Sequence, residues 1–144
     1  MIKIICVGKL KEKYLTDGVN DYLTRLRKYH KIELIELSDS NIDSEGNEII
    51  KHITTKDYII SLAINGVELS SPELAEKIDK TFIKNSNITF IIGGSNGIRK
   101  DILDNSNMKL SFSKLTYPHG LFRLILLEQI YRSFKILNNE TYHK

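Results

Sequence analysis

The C-terminal stretch Leu110–Lys144 reads LSFSKLTYPHGLFRLILLEQIYRSFKILNNETYHK and carries most of the information about the fold. A short polar segment leads through Pro118 into a helical stretch, residues 118–137, that is apolar on almost every face. A surface helix needs only one apolar stripe, so this helix is predicted to be a central core helix or a subunit interface. We favour a homodimer interface, because its apolar residues exceed what one sheet face can cover. The stretch ends Tyr142-His143-Lys144, whose hydroxyl, imidazole and ammonium groups suggest a tail that completes a small-molecule site.

The rest of the chain alternates between strand and helix patterns. Residues 2–7 are a continuous apolar run, as expected for a strand covered on both faces. Further strands are predicted at 32–37, 58–64, 88–92 and 109–113, and further helices at 14–29, 48–55, 98–103 and from Pro72. Ser71 is predicted as a helix N-cap, Asn65-Gly66 as the turn that closes the third strand, and residues 38–46 as a flexible loop. This alternation predicts a single α/β domain over residues 1–144, with a mostly parallel sheet flanked by helices.

Composition narrows the class of protein. The 144 residues are enough for one domain with a real core, and 41% of them are hydrophobic. No apolar run approaches the length of a membrane span, and the N-terminus lacks the features of a signal peptide. Cys6 is the only cysteine and lies in an apolar run, so we expect a buried thiol. These features favour a cytoplasmic protein without a membrane partner.

Several familiar sites are excluded by their missing motifs. The first strand is followed by Val7-Gly8-Lys9-Leu10, which is neither a dinucleotide-binding glycine motif nor a P-loop. Ser95 follows Gly94 in the wrong context for a hydrolase nucleophile. The four histidines and one cysteine have no metal-binding spacing, so no metal is expected.

Three strand ends carry residues suited to binding a ligand, because ligands of open α/β sheets bind beyond the carboxyl ends of the strands. These ends are residues 62–66, 93–97 and 111–117. Gly93 and Gly94 leave the backbone accessible to a ligand, but a tight turn without a ligand explains them equally well. Among the histidines, His143 is the strongest candidate for the site, while His119 remains open and His30 and His52 are expected at the surface.

Taken in order, the motifs resemble those of the ribosomal RNA large subunit methyltransferase H family, which belongs to the SPOUT class. The likeness covers essentially the whole chain. It is carried by Lys3-Ile4, Val7–Lys11, Leu62, Gly66, Phe90–Gly97, Leu110–Thr116, Pro118-His119, Arg123, Leu126, Glu128-Gln129, Tyr131-Arg132 and Tyr142-His143-Lys144.

The resemblance implies a trefoil-knotted α/β domain, a homodimer, and S-adenosylmethionine as the methyl donor. It implies methylation of N3 of pseudouridine 1915 of 23S rRNA in the assembled 70S ribosome. The residues implied in binding the donor are Leu62, Gly66, Gly93, Gly94, Phe112, Ser113, Lys114, Leu115, Thr116 and Tyr117. Those implied in catalysis are Tyr142, His143, Lys144 and Arg132, with Arg123 as a further positive group, and the tail is expected to reach the donor site of the partner subunit.

The sequence departs from the family pattern at Ala63, Tyr117 and Gly120, and its 38–46 segment is shorter than usual. A non-enzymatic RNA- or ribosome-binding module is the main alternative. It is motivated by the charged turn 9–13 and by residues 99–144, which carry eight Lys and Arg against four Asp and Glu. A nucleotide-binding regulator is a third possibility.

Overall fold

The computed structural model describes residues 1–144 as alternating strands and helices. The strands are β1 (Ile2–Val7), β2 (Ile32–Leu37), β3 (Asp57–Glu68), β4 (Asn87–Ile92) and β5 (Met108–Ser111). The helices are α1 (Lys13–Leu26), α2 (Ile42–Lys51), α3 (Ser71–Lys84), α4 (Lys100–Asn105) and α5 (His119–Leu137). The strands form one sheet in the order β2-β1-β4-β3-β5, and every neighbouring pair is parallel. The predicted α/β class with a mostly parallel sheet is therefore confirmed.

Helices cover both faces of this sheet. On β1, Ile2, Ile4 and Cys6 join the larger core cluster, together with buried residues of α1, α3 and α5. Ile5 and Val7 alternate to the opposite face, where they pack in a smaller cluster with α2 and α4. Because β1 is buried on both faces, all six of its residues are buried, including Lys3. This explains its continuous apolar sequence.

The apolar C-terminal helix is a central core helix. Helix α5 packs against both α1 and α3, and Leu126, Leu127 and Ile130 are completely buried. Leu121, Leu124 and Ile125 stay partly exposed. A core helix can also contribute to a subunit interface, so the homodimer remains a prediction. The trefoil knot also remains a prediction. None of the five helices combines the length and apolarity needed to cross a bilayer.

Strand β3 is longer than predicted, and Asn65-Gly66 does not end it. The register against β5 shifts between Leu62 and Val67, so the chain makes an irregular loop-like excursion and then resumes pairing. At Gly66 an added Cβ would lie 2.6 Å from the carbonyl oxygen of Lys109. Gly66 is therefore required by close backbone approach between two strands, which a sequence pattern does not distinguish from a turn.

The starts of helices α2 and α3 also differ from the predictions. Helix α2 begins at Ile42, inside the predicted loop, because the side chain of Asn41 accepts a hydrogen bond from the Ser44 amide at 2.8 Å. Helix α3 is capped by Ser70, not Ser71: the Ser70 hydroxyl accepts from the Glu73 amide while the Glu73 carboxylate accepts from the Ser70 amide. This reciprocal capping box is more favourable than a single cap one residue later.

The amino edge of the sheet contains a buried ion pair. Lys3 Nζ lies 2.6 Å from Asp57 Oδ2, and both side chains are almost fully buried. Burial by itself raises the pKa of Asp57, but hydrogen bonds from Lys3, Asn87 and Thr54 together hold that pKa below its usual range. The pair thus stabilises the fold at neutral pH, and the stabilisation is lost as the pH falls below about 4.

We expect Asp57→Asn to lower the free energy of unfolding by about 3 kcal/mol, because it leaves the Lys3 ammonium buried without a charged partner. Urea unfolding at pH 7 measures the loss, and the gap between variant and wild type should narrow in acid. Lys80→Ala breaks the exposed pair with Glu76 and should barely move the midpoint. Equal midpoints for both variants would contradict the assignment.

Candidate functional site

A cavity of about 380 Å³ lies beyond the carboxyl ends of the neighbouring strands β4, β3 and β5. Its lining contains no Lys, Arg, Asp or Glu, and 11 of its 18 residues are hydrophobic. The lining includes all but two of the residues predicted to bind the donor: Leu62, Gly93, Gly94, Phe112, Ser113, Leu115, Thr116 and Tyr117. Lys114 is exposed and does not line the cavity, and neither does Gly66. We call this space the donor cavity.

The glycine segment after β4 forms a tight turn on one wall of the donor cavity. The Gly97 amide donates to the Gly94 carbonyl at 3.0 Å, and Gly97 has a φ of +75°. An added Cβ at Gly93 would lie 2.7 Å from the Gly97 carbonyl carbon, so only glycine lets this turn close. This segment forms a tight turn and also lines the cavity. The turn explanation and the ligand explanation of Gly93 and Gly94 are therefore compatible.

The opposite wall is a polar loop organised by Ser113. Its Oγ accepts from the Leu115 amide at 2.8 Å and from the Tyr117 hydroxyl at 3.2 Å, while its carbonyl accepts from the Ser111 hydroxyl at 3.0 Å. The ring of Tyr117 also packs against Phe122, with centroids 5.6 Å apart. Tyr117, a departure from the family pattern, therefore helps to hold this wall in place.

The cavity is also bordered by Ala63, Ile64, Gly97 and Ser111, which lie in the three predicted strand ends, and by His119, whose role was left open. Sequence reasoning missed the apolar residues Ile92, Ile98, Leu103, Leu110 and Phe122. Most are ordinary apolar residues near strand ends or in helices, and nothing in their local pattern separates them from core residues. His119 stands at the start of α5, where its position after Pro118 was the only available signal.

A second group of predicted residues lies near the other end of α5. Tyr142 packs edge-on against Tyr131 at 5.0 Å, and its hydroxyl donates to Glu128 at 3.2 Å. Arg132 donates to the same Glu128 carboxylate at 2.9 Å and lies over the Tyr142 ring. Its Nη1 also contacts His143 Nδ1 at 3.0 Å. We call Arg132, Tyr142 and His143 the tail cluster. Lys144 is exposed, and its side chain forms no hydrogen bond or ion pair with the cluster.

The hydrogen bonds of the tail cluster define which groups donate and which accept. Because arginine only donates hydrogen bonds, His143 Nδ1 must accept the bond from Arg132, and the neutral ring then carries its proton on Nε2. Burial raises the pKa of the Tyr142 phenol, and the hydrogen bond with Tyr22 and the Glu128 charge raise it further. Tyr142 therefore stays neutral, and the cluster presents a phenol and an imidazole N–H.

The donor cavity and the tail cluster are separated within one chain. Phe122 lines the cavity and Arg132 contacts His143, so the two groups are ten residues apart on α5. At 1.5 Å per residue this separation is about 15 Å. No residue of the tail cluster lines the donor cavity of its own chain.

Arg123, predicted as a further positive group of the site, has a structural role. Its side chain is 1% exposed, pairs with Glu36 at 2.6 Å and donates to the Gly8 carbonyl at 2.8 Å. Gly120 has a structural explanation too: an added Cβ would lie 2.9 Å from Leu15 and 3.0 Å from Leu10. The departure at position 120 lets these leucines pack against the start of α5.

The structure contains no group of three or more His, Cys, Asp or Glu residues arranged to hold a metal ion. An open parallel sheet with a largely apolar cavity at the carboxyl ends of three adjacent strands defines a small-molecule-binding α/β protein.

Comparison with known proteins identifies the family. The family model described as "Predicted SPOUT methyltransferase" matches residues 1–143. Relatives named ribosomal RNA large subunit methyltransferase H are 48% identical in Enterococcus faecalis V583 and 47% identical in Clostridium novyi NT, each covering 99% of both chains. The chain belongs to the ribosomal RNA large subunit methyltransferase H family of SPOUT methyltransferases.

A solved structure gives independent support for the fold. The structure of a probable methylase family protein from Haemophilus influenzae Rd KW20 matches with a TM-score of 0.60 at 11% identity, covering 99% of this chain and 70% of that one. At this identity the likeness concerns the fold alone.

Proposed function

We propose that this protein methylates N3 of pseudouridine 1915 of 23S rRNA in the assembled 70S ribosome, with S-adenosylmethionine as donor, and that it works as a homodimer in the cytoplasm. The observation that carries the proposal is the donor cavity, which gathers eight of the ten predicted donor-binding residues in a chain of this family. The names of its relatives support ribosomal RNA as the substrate.

The donor cavity suits S-adenosylmethionine on two grounds. Its volume of about 380 Å³ lies within the range of small-molecule pockets, and its uncharged apolar walls favour the flat base of the donor. The backbone groups of the turn 93–97 and the Ser113 loop supply the few polar contacts that orient such a ligand. When bound, this donor supplies a methyl group activated by its positive sulfur, so the protein contributes position more than covalent catalysis.

The tail cluster is proposed to act in trans. Its separation of about 15 Å along α5 from its own donor cavity favours a second copy as the source of the closing tail. The partly exposed Leu121, Leu124 and Ile125 on α5 provide apolar area for an interface between two copies. Each active site would then consist of the cavity of one subunit and the tail of the other.

Within that composite site we assign a role to each tail residue. The imide N3 loses its proton to solvent, and the resulting anion spreads its charge over N3 and the two neighbouring carbonyl oxygens until the N3–methyl bond forms and the sulfur–methyl bond of the donor breaks. We assign His143 Nε2–H as a hydrogen-bond donor to that anion, and Tyr142 offers a rigid ring and hydroxyl beside it. Arg132 is a positioning residue, because its charge is already matched by Glu128. Lys144 adds positive charge near the acceptor.

The proposal is tested by methyl transfer from labelled donor to intact 70S ribosomes, free large subunits and naked 23S rRNA, compared side by side. We expect transfer to 70S ribosomes well above the other two, with the label mapped to a single pseudouridine by mass spectrometry. Labelling at another nucleotide, or no labelling at all, would contradict the proposed reaction.

A second candidate is a non-enzymatic RNA-binding module, favoured by the exposed Lys9 and Lys11, which pair with no carboxylate of the chain. Calorimetry with S-adenosylmethionine separates the two candidates. We expect saturable binding at one site per donor cavity, and we expect Thr116→Trp, on the rim of the cavity, to weaken it at least tenfold. Salt-sensitive RNA binding without any donor binding would favour the module.

A further inference from the structure

A second cavity, of about 340 Å³, lies beside the carboxyl end of β1. Its walls are the β1–α1 loop, the first residues of α1, Asp39 after β2 and the start of α5. His119 is the one residue that lines both this space and the donor cavity. The two cavities are therefore neighbours along the same edge of the sheet, and we call the second one the β1 cavity.

Tyr14 lines the β1 cavity, but its side chain does not stabilise the fold through polar or aromatic contacts. Its side chain is 67% exposed, and it makes no hydrogen bond, ring contact or cation–π contact within the chain. The other six tyrosines each have such a contact. A free aromatic ring at a cavity mouth is the kind of surface on which unpaired nucleobases stack.

The charged groups of the β1 cavity are mixed in sign. Lys9 and Lys11 are exposed and unpaired, whereas Lys13 in the same turn is bound to Asp17. Two carboxylates, Glu12 and Asp39, also line the space. The lysines suit phosphate oxygens, and a carboxylate accepts hydrogen bonds from the N–H groups of a base edge. A simple anion would be repelled by the two acids, so this set suits a whole nucleotide better.

The floor of the β1 cavity is fixed. Arg123 lines it while holding Glu36 and the Gly8 carbonyl, so its charge is already used inside the fold. Glu36 also accepts from the Leu10 amide at 3.2 Å, which ties the β1–α1 loop to the same pair. The loop is thus anchored, and Tyr14, Lys9 and Lys11 project from a defined base.

We propose that the β1 cavity binds an unpaired nucleotide of the RNA adjacent to the one that is methylated, with Tyr14 as the stacking platform and Lys9 and Lys11 on its phosphates. This assignment rests on the proposed function for the identity of the RNA. Because His119 lines both cavities, a nucleotide in the β1 cavity would lie beside the donor cavity and therefore close to the nucleotide that receives the methyl group.

Binding of the full-length protein to 70S ribosomes, measured across a range of salt concentrations, tests this assignment. Tyr14→Ala should weaken binding about tenfold, whereas Tyr14→Phe, which keeps the ring, should stay close to wild type. The double variant Lys9→Ala/Lys11→Ala should lower the slope of log K against log salt by about two. Donor binding measured by calorimetry should not change in any of them.

The matched control is Lys56→Ala/Lys84→Ala, which removes the same charge from exposed lysines at the opposite edge of the sheet, before β3 and at the end of α3. It should leave the salt slope near that of wild type. The assignment is overturned if Tyr14→Ala binds like wild type, if the control loses as much slope, or if the losses are insensitive to salt, as for a protein partner. If the wild-type protein binds ribosomes but never methylates them, the proposed function is refuted. The nucleotide site in the β1 cavity is then still decided by comparing ribosome binding among the variants.

Discussion

Replacing His143 with alanine should lower the rate of methyl transfer to 70S ribosomes by about 100- to 1000-fold, the usual loss for one donor to a developing anion. His143 belongs to the tail cluster, where Arg132 fixes its ring and leaves Nε2–H free. The donor cavity contains no tail residue of its own chain, so the affinity for S-adenosylmethionine should stay within about threefold of wild type. Single-turnover kinetics and calorimetry measure the two quantities separately.

A second substitution at the same position defines the chemistry. His143→Gln retains an N–H donor but removes the basic ring, so it should recover at least tenfold over His143→Ala if the residue donates a hydrogen bond. A glutamine variant as inactive as the alanine variant would contradict hydrogen-bond donation as the role of His143. His52→Ala is the matched control, because His52 lies just after α2 and lines neither cavity.

The fold could be predicted from sequence wherever the periodicity had one explanation. The bounds of β1 and β2 were predicted to the residue, since their apolar and alternating patterns are bracketed by Gly8 and by charged turns. The start of α2 was not, because Asn41 and the buried Glu45 look like loop residues until a helix is built on them. The strand order and the excursion in β3 depend on contacts between distant segments, which local patterns do not contain.

Most residues of the candidate site could be predicted from the sequence, but their positions relative to one another could not. The strand-end rule and the resemblance selected the turn at 93–97 and the loop at 111–117, and both line the donor cavity. They also selected Gly66, Lys114 and Arg123, which the structure places elsewhere: Gly66 against β5, Lys114 in solvent and Arg123 on Glu36. The identity of a glycine or an arginine does not show whether the residue is needed for packing or for binding a ligand.

Local sequence patterns do not give the position of the tail relative to the donor cavity. Arg132, Tyr142 and His143 were predicted to act together, and they do lie together. Their separation of about 15 Å along α5 from the donor cavity of their own chain follows only from the length of that helix. This separation favours the proposed action in trans, in which a monomer would be inactive because its own tail would not close its cavity.

Mixing two inactive variants should therefore restore activity. Gly93→Val should abolish donor binding, because a Cβ at 2.7 Å from the Gly97 carbonyl carbon forces open the turn that forms one cavity wall. His143→Ala should abolish transfer while it leaves the cavity intact. After exchange of subunits in an equimolar mixture, half of the dimers are mixed. Each mixed dimer has one site with an unmutated cavity and an unmutated tail and one site with neither, so activity should return to about a quarter of wild type.

The restored activity must come from subunit exchange. Circular dichroism and thermal unfolding establish that Gly93→Val is folded, and Thr116→Trp replaces it in the mixture if it is not. Mixing Gly93→Val with the double variant Gly93→Val/His143→Ala provides no sound cavity, so it should remain inactive and serves as the control. If the mixture of single variants also stays inactive although mass spectrometry detects mixed dimers, each tail must serve its own chain, and the separation of tail and cavity along α5 would have to close by a rearrangement of the helix end.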